Sequence, residues 1–147
     1  MFDIINCEAD PNEFGFDRFF LLSDSKITDV ENLQAAVKFK NQKILIRLKD
    51  HAFDEGAIKL IAEKSKACFL IDMGRIMRSN GIRRAIEMSK LRLFLSFCNR
   101  HGAYYTFATF SENGQVRSSY ELCNMAMLLG LNRGQAKFAL GMLKHYL

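Results

Sequence analysis

An α/β fold with a mainly parallel sheet is predicted by two features of this 147-residue chain. Short apolar runs rich in Ile, Phe, Leu and Tyr recur along it, and most are separated by segments whose apolar residues fall at helical spacing. Runs of that length are buried strands, and strands that alternate with helices pair in parallel, because a parallel crossover needs a helix-length connection. At 147 residues the chain is one domain with room for a real core, and no linker, repeat or low-complexity tract divides it.

The strands expected are 2–6, 19–22, 44–48, 68–72 and 104–108. Helical patterns fall at 30–39, with Val30, Leu33 and Ala36 or Val37 in step, and at 55–64, with Ile58, Ile61 and Ala62. A longer one covers 82–100, with Ile82, Ile86, Leu93 and Phe97 as its inward face. Its second half also carries Leu91, Phe94, Leu95 and Cys98, so it is apolar nearly all round and is either deeply buried or faces a partner. Leu91, Leu93, Leu95 and Phe97 also alternate, which keeps a partial strand open there. Ser118 with Glu121 three residues on predicts a capping box for a helix ending at Leu129, with Gly130 just beyond. Asn132 with Gln135 predicts the same for a last helix, so the chain closes on a helical hairpin.

The net charge of +5 is unevenly spread. Residues 1–74 carry 8 Lys and 2 Arg against 13 acids, a net of −3, whereas residues 75–147 carry 3 Lys and 8 Arg against 3 acids, a net of +8. Arginine's planar fork suits phosphate oxygens, so an arginine-rich half points to a polyanion. Between Arg75 and Arg100 the basic residues Arg75, Arg78, Arg83, Arg84, Lys90, Arg92 and Arg100 meet a single acid, Glu87. Four of them flank Ser79-Asn80-Gly81 at a helix start, where free N–H groups add to a phosphate cradle. Arg117 and Arg133 precede the two capped helices and join the same surface if those ends converge.

Cys7, Cys68, Cys98 and Cys123 show neither CxxC nor zinc-ligand spacing and are expected as reduced thiols of a cytoplasmic protein; no secretion signal or bilayer-length apolar run is present. Asp3, Asp24, Asp50, His51 and Asp72 lie in or after predicted strands, where some of them suit a divalent metal and phosphoester chemistry. No His-x-His, HExxH or DxD pairing supports that set, and Asp at a strand end is commonly a cap or turn former. His101 and His145 lie near helix C-termini, where a histidine meets free carbonyls. GxSxG, GxxxxGK[ST] and GxGxxG are absent.

From Phe69 the chain runs Leu-Ile-Asp-Met-Gly-Arg-Ile, then Asn80-Gly81-Ile-Arg-Arg, Lys90-Leu-Arg-Leu-Phe-Leu, Arg100-His-Gly and Tyr105-Thr-Phe-Ala-Thr. Arg117-Ser-Ser-Tyr-Glu-Leu follows, then Leu128-Leu-Gly-Leu and Ala136. In order and spacing over residues 69–140 this resembles the TIM-barrel-type protein subunit of archaeal and eukaryal ribonuclease P, called protein component 3 in archaea. Phe2-Asp3 is similar to that family's first strand, and Gly15-Phe16 with Phe19-Phe20-Leu21-Leu22 to its second. Ser119 stands where the family often has Pro.

The resemblance implies a shortened TIM-barrel-like (β/α) fold over residues 1–147, since a closed eight-unit barrel takes about 250 residues. It implies a ribonucleoprotein role in tRNA processing: the protein binds and stabilises the ribonuclease P RNA, and that RNA with its Mg²⁺ removes the 5′ leader of precursor tRNA. The chain itself then carries no catalytic residue, metal or cofactor, meets precursor tRNA only indirectly, and joins a Pop5-type protein in a heterotetramer, away from any membrane. RNA contact is expected from Arg75, Arg78, Arg83, Arg84, Lys90, Arg92, Arg100, Arg117, Ser118 and Arg133, in an RNA-facing basic half, residues 75–147. Leu91, Phe94 and Leu95 are the candidate protein-partner contact. Two other readings stand beside it: a small metal-dependent α/β phosphoesterase using some of Asp3, Asp50, His51 and Asp72, and a scaffold whose arginines serve acidic proteins.

Overall fold

The computed structural model describes residues 1–52 and 54–147. Among these residues six strands form: β1 (Phe2–Ile5), β2 (Arg18–Leu21), β3 (Ile27–Val30), β4 (Leu45–Leu48), β5 (Cys68–Asp72) and β6 (Tyr104–Ala108). The helices are α1 (Leu33–Ala36), α2 (Glu55–Lys64), α3 (Met73–Arg78), α4 (Gly81–His101), α5 (Ser119–Leu128) and α6 (Arg133–Met142). Every strand pair is parallel, in one sheet ordered β3-β4-β5-β6 and a two-stranded one, β1-β2.

The two sheets meet just past β6. Phe110 N–H donates to Ile4 O (2.9 Å) and Asn6 N–H to Ser111 O (2.8 Å), and Ile5 bridges Ser111 in parallel. The spatial order is therefore β2-β1-β6-β5-β4-β3, and no barrel is closed: among the described residues β2 and β3 form no pair. Strand alternation splits the core in two. Ile46, Leu48, Phe69, Ile71 and Phe107 pack with residues of the helices, while Ile4, Leu45, Cys68, Leu70, Ala108 and Phe110 form a second cluster with Leu143.

The five strands expected are present within a residue or so at each end, and the α/β class with parallel pairing holds. Two short elements have no counterpart in the sequence pattern. Val30 ends β3 instead of starting a helix, and a four-residue α1, capped by Asn32, runs into a 3-10 turn, Val37–Phe39. α3 is six residues long, too short to show a period in sequence, and is started by Asp72, whose carboxylate accepts from Arg75 N–H.

The largest correction concerns α4. Its inward residues are Leu91, Phe94, Leu95 and Cys98, each at most 2% exposed, whereas Ile82, Ile86 and Leu93 are 80%, 52% and 45% exposed. Of the expected inward face Ile82, Ile86 and Leu93 point outward and only Phe97 packs, partly buried, against the core; Leu91, Phe94 and Leu95 are core residues, closed to any partner. The alternation at 91–97 belongs to continuous helix. Sequence periodicity had two apolar faces to choose between; in the fold, Phe94 packs edge-on against Phe69 of β5 and takes its own face inward.

The closing hairpin forms as expected. Asn132 and Gln135 make the full reciprocal box (2.8 and 3.0 Å), and Gly130 takes φ +92° after Leu129. Ser118 makes half of one: its Oγ accepts from Glu121 N–H (3.1 Å), but the Glu121 carboxylate turns to Arg117 at 3.6 Å.

Candidate functional site

Parallel strands deliver their C-terminal ends to one edge of the sheet, and the loops there carry the chemistry of most α/β proteins. Here that edge holds Asp72, the start of α3, and the segment after β6. Gly74 allows the two to touch: a Cβ built on it would lie closer than 3.0 Å to the carbonyl oxygen of Thr109, inside any distance real Cβ atoms show. Arg78 and Arg117 line one hollow of this edge, about 340 Å³, together with Gly74, Thr109 and Ser111.

Two further hollows share those arginines. Arg75, Arg78 and Arg83 line one of about 370 Å³, and Arg84 and Arg117 flank another of about 440 Å³ between α3, α4 and α5. Five arginines thus follow one another along a single rim. Their partners divide them into two kinds. Arg75 is occupied by Lys49 O (2.7 Å) and Glu87 (3.1 Å), and Arg84 donates to Ile76 O (3.2 Å) and Met77 O (2.9 Å), closing the end of α3. Arg78 stands 3.9 Å from Asp72 with its side chain 60% exposed, and Arg117 3.6 Å from Glu121 with 55% exposed. Arg83 is exposed and makes no ion pair among the described residues. Close by, the Asn80 side chain makes no capping bond at the start of α4.

The other expected contacts scatter. Lys90 pairs with Asp50 (3.3 Å), and Arg92 donates to Leu128 O (2.9 Å), capping the end of α5. Ser118 is the cap of α5 at its start. Arg100 sits 3.5 Å from Glu55 at the far end of α4, two residues before Gly102. Arg133 begins α6, between Asn132 and Gly134, which line a hollow with Gly102 and Tyr104 at the start of β6, while Arg117 lies by Thr109, past its end. The starts of α5 and α6 therefore do not converge, and Arg100 and Arg133 lie toward the opposite edge of the sheet.

The carboxylates do not assemble into a metal set. Asp3 is fully buried and accepts from Thr109 N–H (2.8 Å), Thr109 Oγ1 (2.6 Å) and Ile4 N–H (2.8 Å), fastening β1 to the end of β6. Asp50 faces Ala52 N–H and Lys90, and Asp72 caps α3. His51 is buried with its ring edge-on to Phe94 (5.1 Å) and its Nδ1 without a partner among the described residues. Among those residues no three His, Cys, Asp or Glu side chains group closely enough to hold a metal ion. His101 Nε2 meets Glu55 at 2.8 Å.

A second polar cavity, about 280 Å³, opens at the ends of β3, β4 and β5 and is lined by Asp29, Arg47, His51, Asp72 and Arg75 among others. Arg47 is gripped by Asp29 at 2.7 and 3.2 Å and lies 4.8 Å over the ring of Phe110, which takes φ +52°. Sequence reasoning missed Asp29, Arg47 and Thr109. Their signal, polar residues inside short strands or just past them, shows only once strand register is known.

Asp3 and His51 give opposite pH dependences. Burial pushes the Asp3 carboxyl up from 3.8 to about 6, against the pull of its hydrogen bonds, so the fold gains stability as pH falls from about 6 toward 4. Burial, helped by Arg75, holds His51 down at about 4 instead of 6.5; the unfolded chain takes up that proton first, and stability is lost over nearly the same window. Each amounts to about 3 kcal/mol at ~1.4 kcal/mol per pH unit. Relative to the parent chain, Asp3→Asn is expected to lose stability as pH falls through this window, and His51→Gln to gain it. Urea melts between neutral pH and about pH 4 read both trends, and two variants that keep the parent's profile would refute the assignment.

Among the described residues no helix is long and apolar enough to cross a membrane, and Cys7, Cys68, Cys98 and Cys123 are free thiols. Comparison with known proteins finds no family model and no curated protein that matches the chain.

Proposed function

We propose that the chain is an RNA-binding protein subunit of ribonuclease P, stabilising the catalytic RNA while that RNA and its Mg²⁺ hydrolyse the precursor tRNA. The observation that carries this reading is the rim of Arg78, Arg83 and Arg117: three exposed guanidinium groups along adjoining hollows, with Arg75 and Arg84 bracing α3 between them. Such a rim matches phosphates spaced along a strand and carries no base selectivity. The strand order β2-β1-β6-β5-β4-β3 is sequential around a ring apart from the opening between β2 and β3, and it supports the shortened TIM-barrel-like description. A Pop5-type protein is the partner this reading brings with it.

The triple variant Arg78→Ala/Arg83→Ala/Arg117→Ala is expected to weaken binding to the source organism's ribonuclease P RNA and to shallow the log–log salt slope by about 2 to 3. Arg100→Ala/Arg133→Ala, toward the opposite edge, is expected to leave both near the parent values. Filter binding over a salt series decides. Equal affinity and slope for the triple variant and the parent would end the proposal. Precursor tRNA cleavage by the RNA at limiting Mg²⁺, with and without the chain and a Pop5-type partner, tests the role itself.

A further inference from the structure

The hollow at the ends of β5 and β6 has a fixed floor and charged walls. Gly74 and Arg78 of α3 form one side, Gln115 and Arg117 of the segment after β6 the other, and Thr109 and Ser111 lie beneath. The position a Cβ would take on Gly74 is 2.8 Å from Nη1 of Arg78, so the guanidinium lies across the glycine, where any larger residue would displace it. Thr109 and Ser111 are 0% and 4% exposed. Thr109 Oγ1 donates to the buried Asp3 (2.6 Å), and Ser111 Oγ donates to Thr109 Oγ1 (2.6 Å).

Counting donors and acceptors shows what remains for a ligand. Thr109 Oγ1 gives its proton to Asp3 and accepts from Ser111 Oγ and Ser111 N–H (3.3 Å), so it is satisfied. Ser111 Oγ gives up its own proton and keeps lone pairs, which accept from a ligand hydroxyl. Arg78 and Arg117 are the charged donors. Each has an acid nearby, Asp72 at 3.9 Å and Glu121 at 3.6 Å, but these separations exceed a hydrogen bond and exposed pairs of this kind are weak, so both forks can turn to an anion. Among the described residues no acid lines the hollow.

We infer that this hollow binds the terminal phosphate of a phosphorylated sugar, with Arg78 and Arg117 on the phosphate oxygens and Ser111 accepting from a sugar hydroxyl. A terminal phosphate carries a charge of about −1.5 to −2 at neutral pH and presents three oxygens, which suits two guanidinium forks better than a singly charged backbone phosphodiester does. At about 340 Å³ the hollow is near the small end of ligand pockets, the scale of a sugar phosphate. Such a group comes from a small sugar phosphate or from the 5′ end of an RNA. The inference shares Arg78 and Arg117 with the RNA-binding reading but does not rest on it, since Arg83 lies outside the hollow and Ser111 and Gln115 are no part of the rim.

Isothermal titration of the full chain at neutral pH compares two pairs of probes: ribose 5-phosphate with ribose, and a trinucleotide RNA bearing a 5′-phosphate with the same RNA bearing a 5′-hydroxyl. In at least one pair the phosphate is expected to raise affinity about tenfold or more. The pair with the larger gain names the source. Arg78→Ala/Arg117→Ala is expected to remove the gain. Gln115→Glu, an exposed substitution of equal size that brings a carboxylate to the hollow, is expected to lower it severalfold with Tm at the parent value, and Arg83→Ala to leave it unchanged. No gain in either pair overturns the inference. So does a gain that survives Arg78→Ala/Arg117→Ala, or one that Arg83→Ala lowers as much. The RNA-binding reading fails on a separate result, an unchanged affinity and salt slope in the triple variant.

Discussion

Gly74→Ala is expected to be among the most damaging single substitutions in the chain. Its added methyl would collide with a backbone oxygen, that of Thr109, and sit 2.8 Å from Nη1 of Arg78. The arginine can swing aside, but Thr109 is pinned, because its N–H and hydroxyl both hold the buried Asp3. Relieving the clash means separating α3 from the end of β6, next to the junction where β1 joins the larger sheet. A loss of about 3 kcal/mol or more is expected, a large share of the roughly 5–15 kcal/mol typical of a domain. Gly141→Ala is the control, since a Cβ there meets nothing within 4 Å, and it should be neutral or stabilising by up to ~1 kcal/mol. Urea unfolding measures both, and a Gly74→Ala variant within about 1 kcal/mol of its parent would contradict the packing described.

Phe94→Ala and Leu93→Ala, neighbours in sequence, are expected to behave as core and surface. Phe94 is 2% exposed and meets Phe69 and His51 edge-on, with ring centroids 5.0 and 5.1 Å away. Truncating it removes those contacts and leaves a cavity, at a cost of about 3–5 kcal/mol. Leu93 is 45% exposed, so its truncation should cost under about 1 kcal/mol. The Phe94 variant has a second readout. Water reaching His51 would relieve the burial that holds its pKa at about 4, and an NMR titration should find it moved toward 6.5. Equal losses from the two substitutions would mean that α4 buries the other face.

That pair marks where sequence reading stops. The strands at Phe2, Cys68 and Tyr104 were legible because they are short, largely apolar runs, the pattern of parallel strands buried on both faces. The capped ends of α5 and α6 were legible because Ser118, Asn132 and Gln135 act on N–H groups only three residues away. β3 and α3 escaped because four and six residues carry too little period to stand out beside Asp29, Arg75 and Arg78. The basic rim was half legible. All its arginines are plain in the sequence, but Arg75 and Arg84 turn out to hold backbone carbonyls, and only geometry separates those from Arg78, Arg83 and Arg117.

By itself, then, the sequence determined what acts over a few residues: the α/β alternation, the helix caps and the crowding of arginine into residues 75–147. Tertiary structure alone decided which apolar side of α4 is core, that the arginines at 100 and 133 lie away from those at 78 and 117, and that Asp3 is a buried fastener for Thr109. The reason is range. Caps and periodicity depend on neighbours along the chain, whereas burial, the partner of an arginine and the pKa of a carboxyl depend on strands and helices brought together from far apart in it.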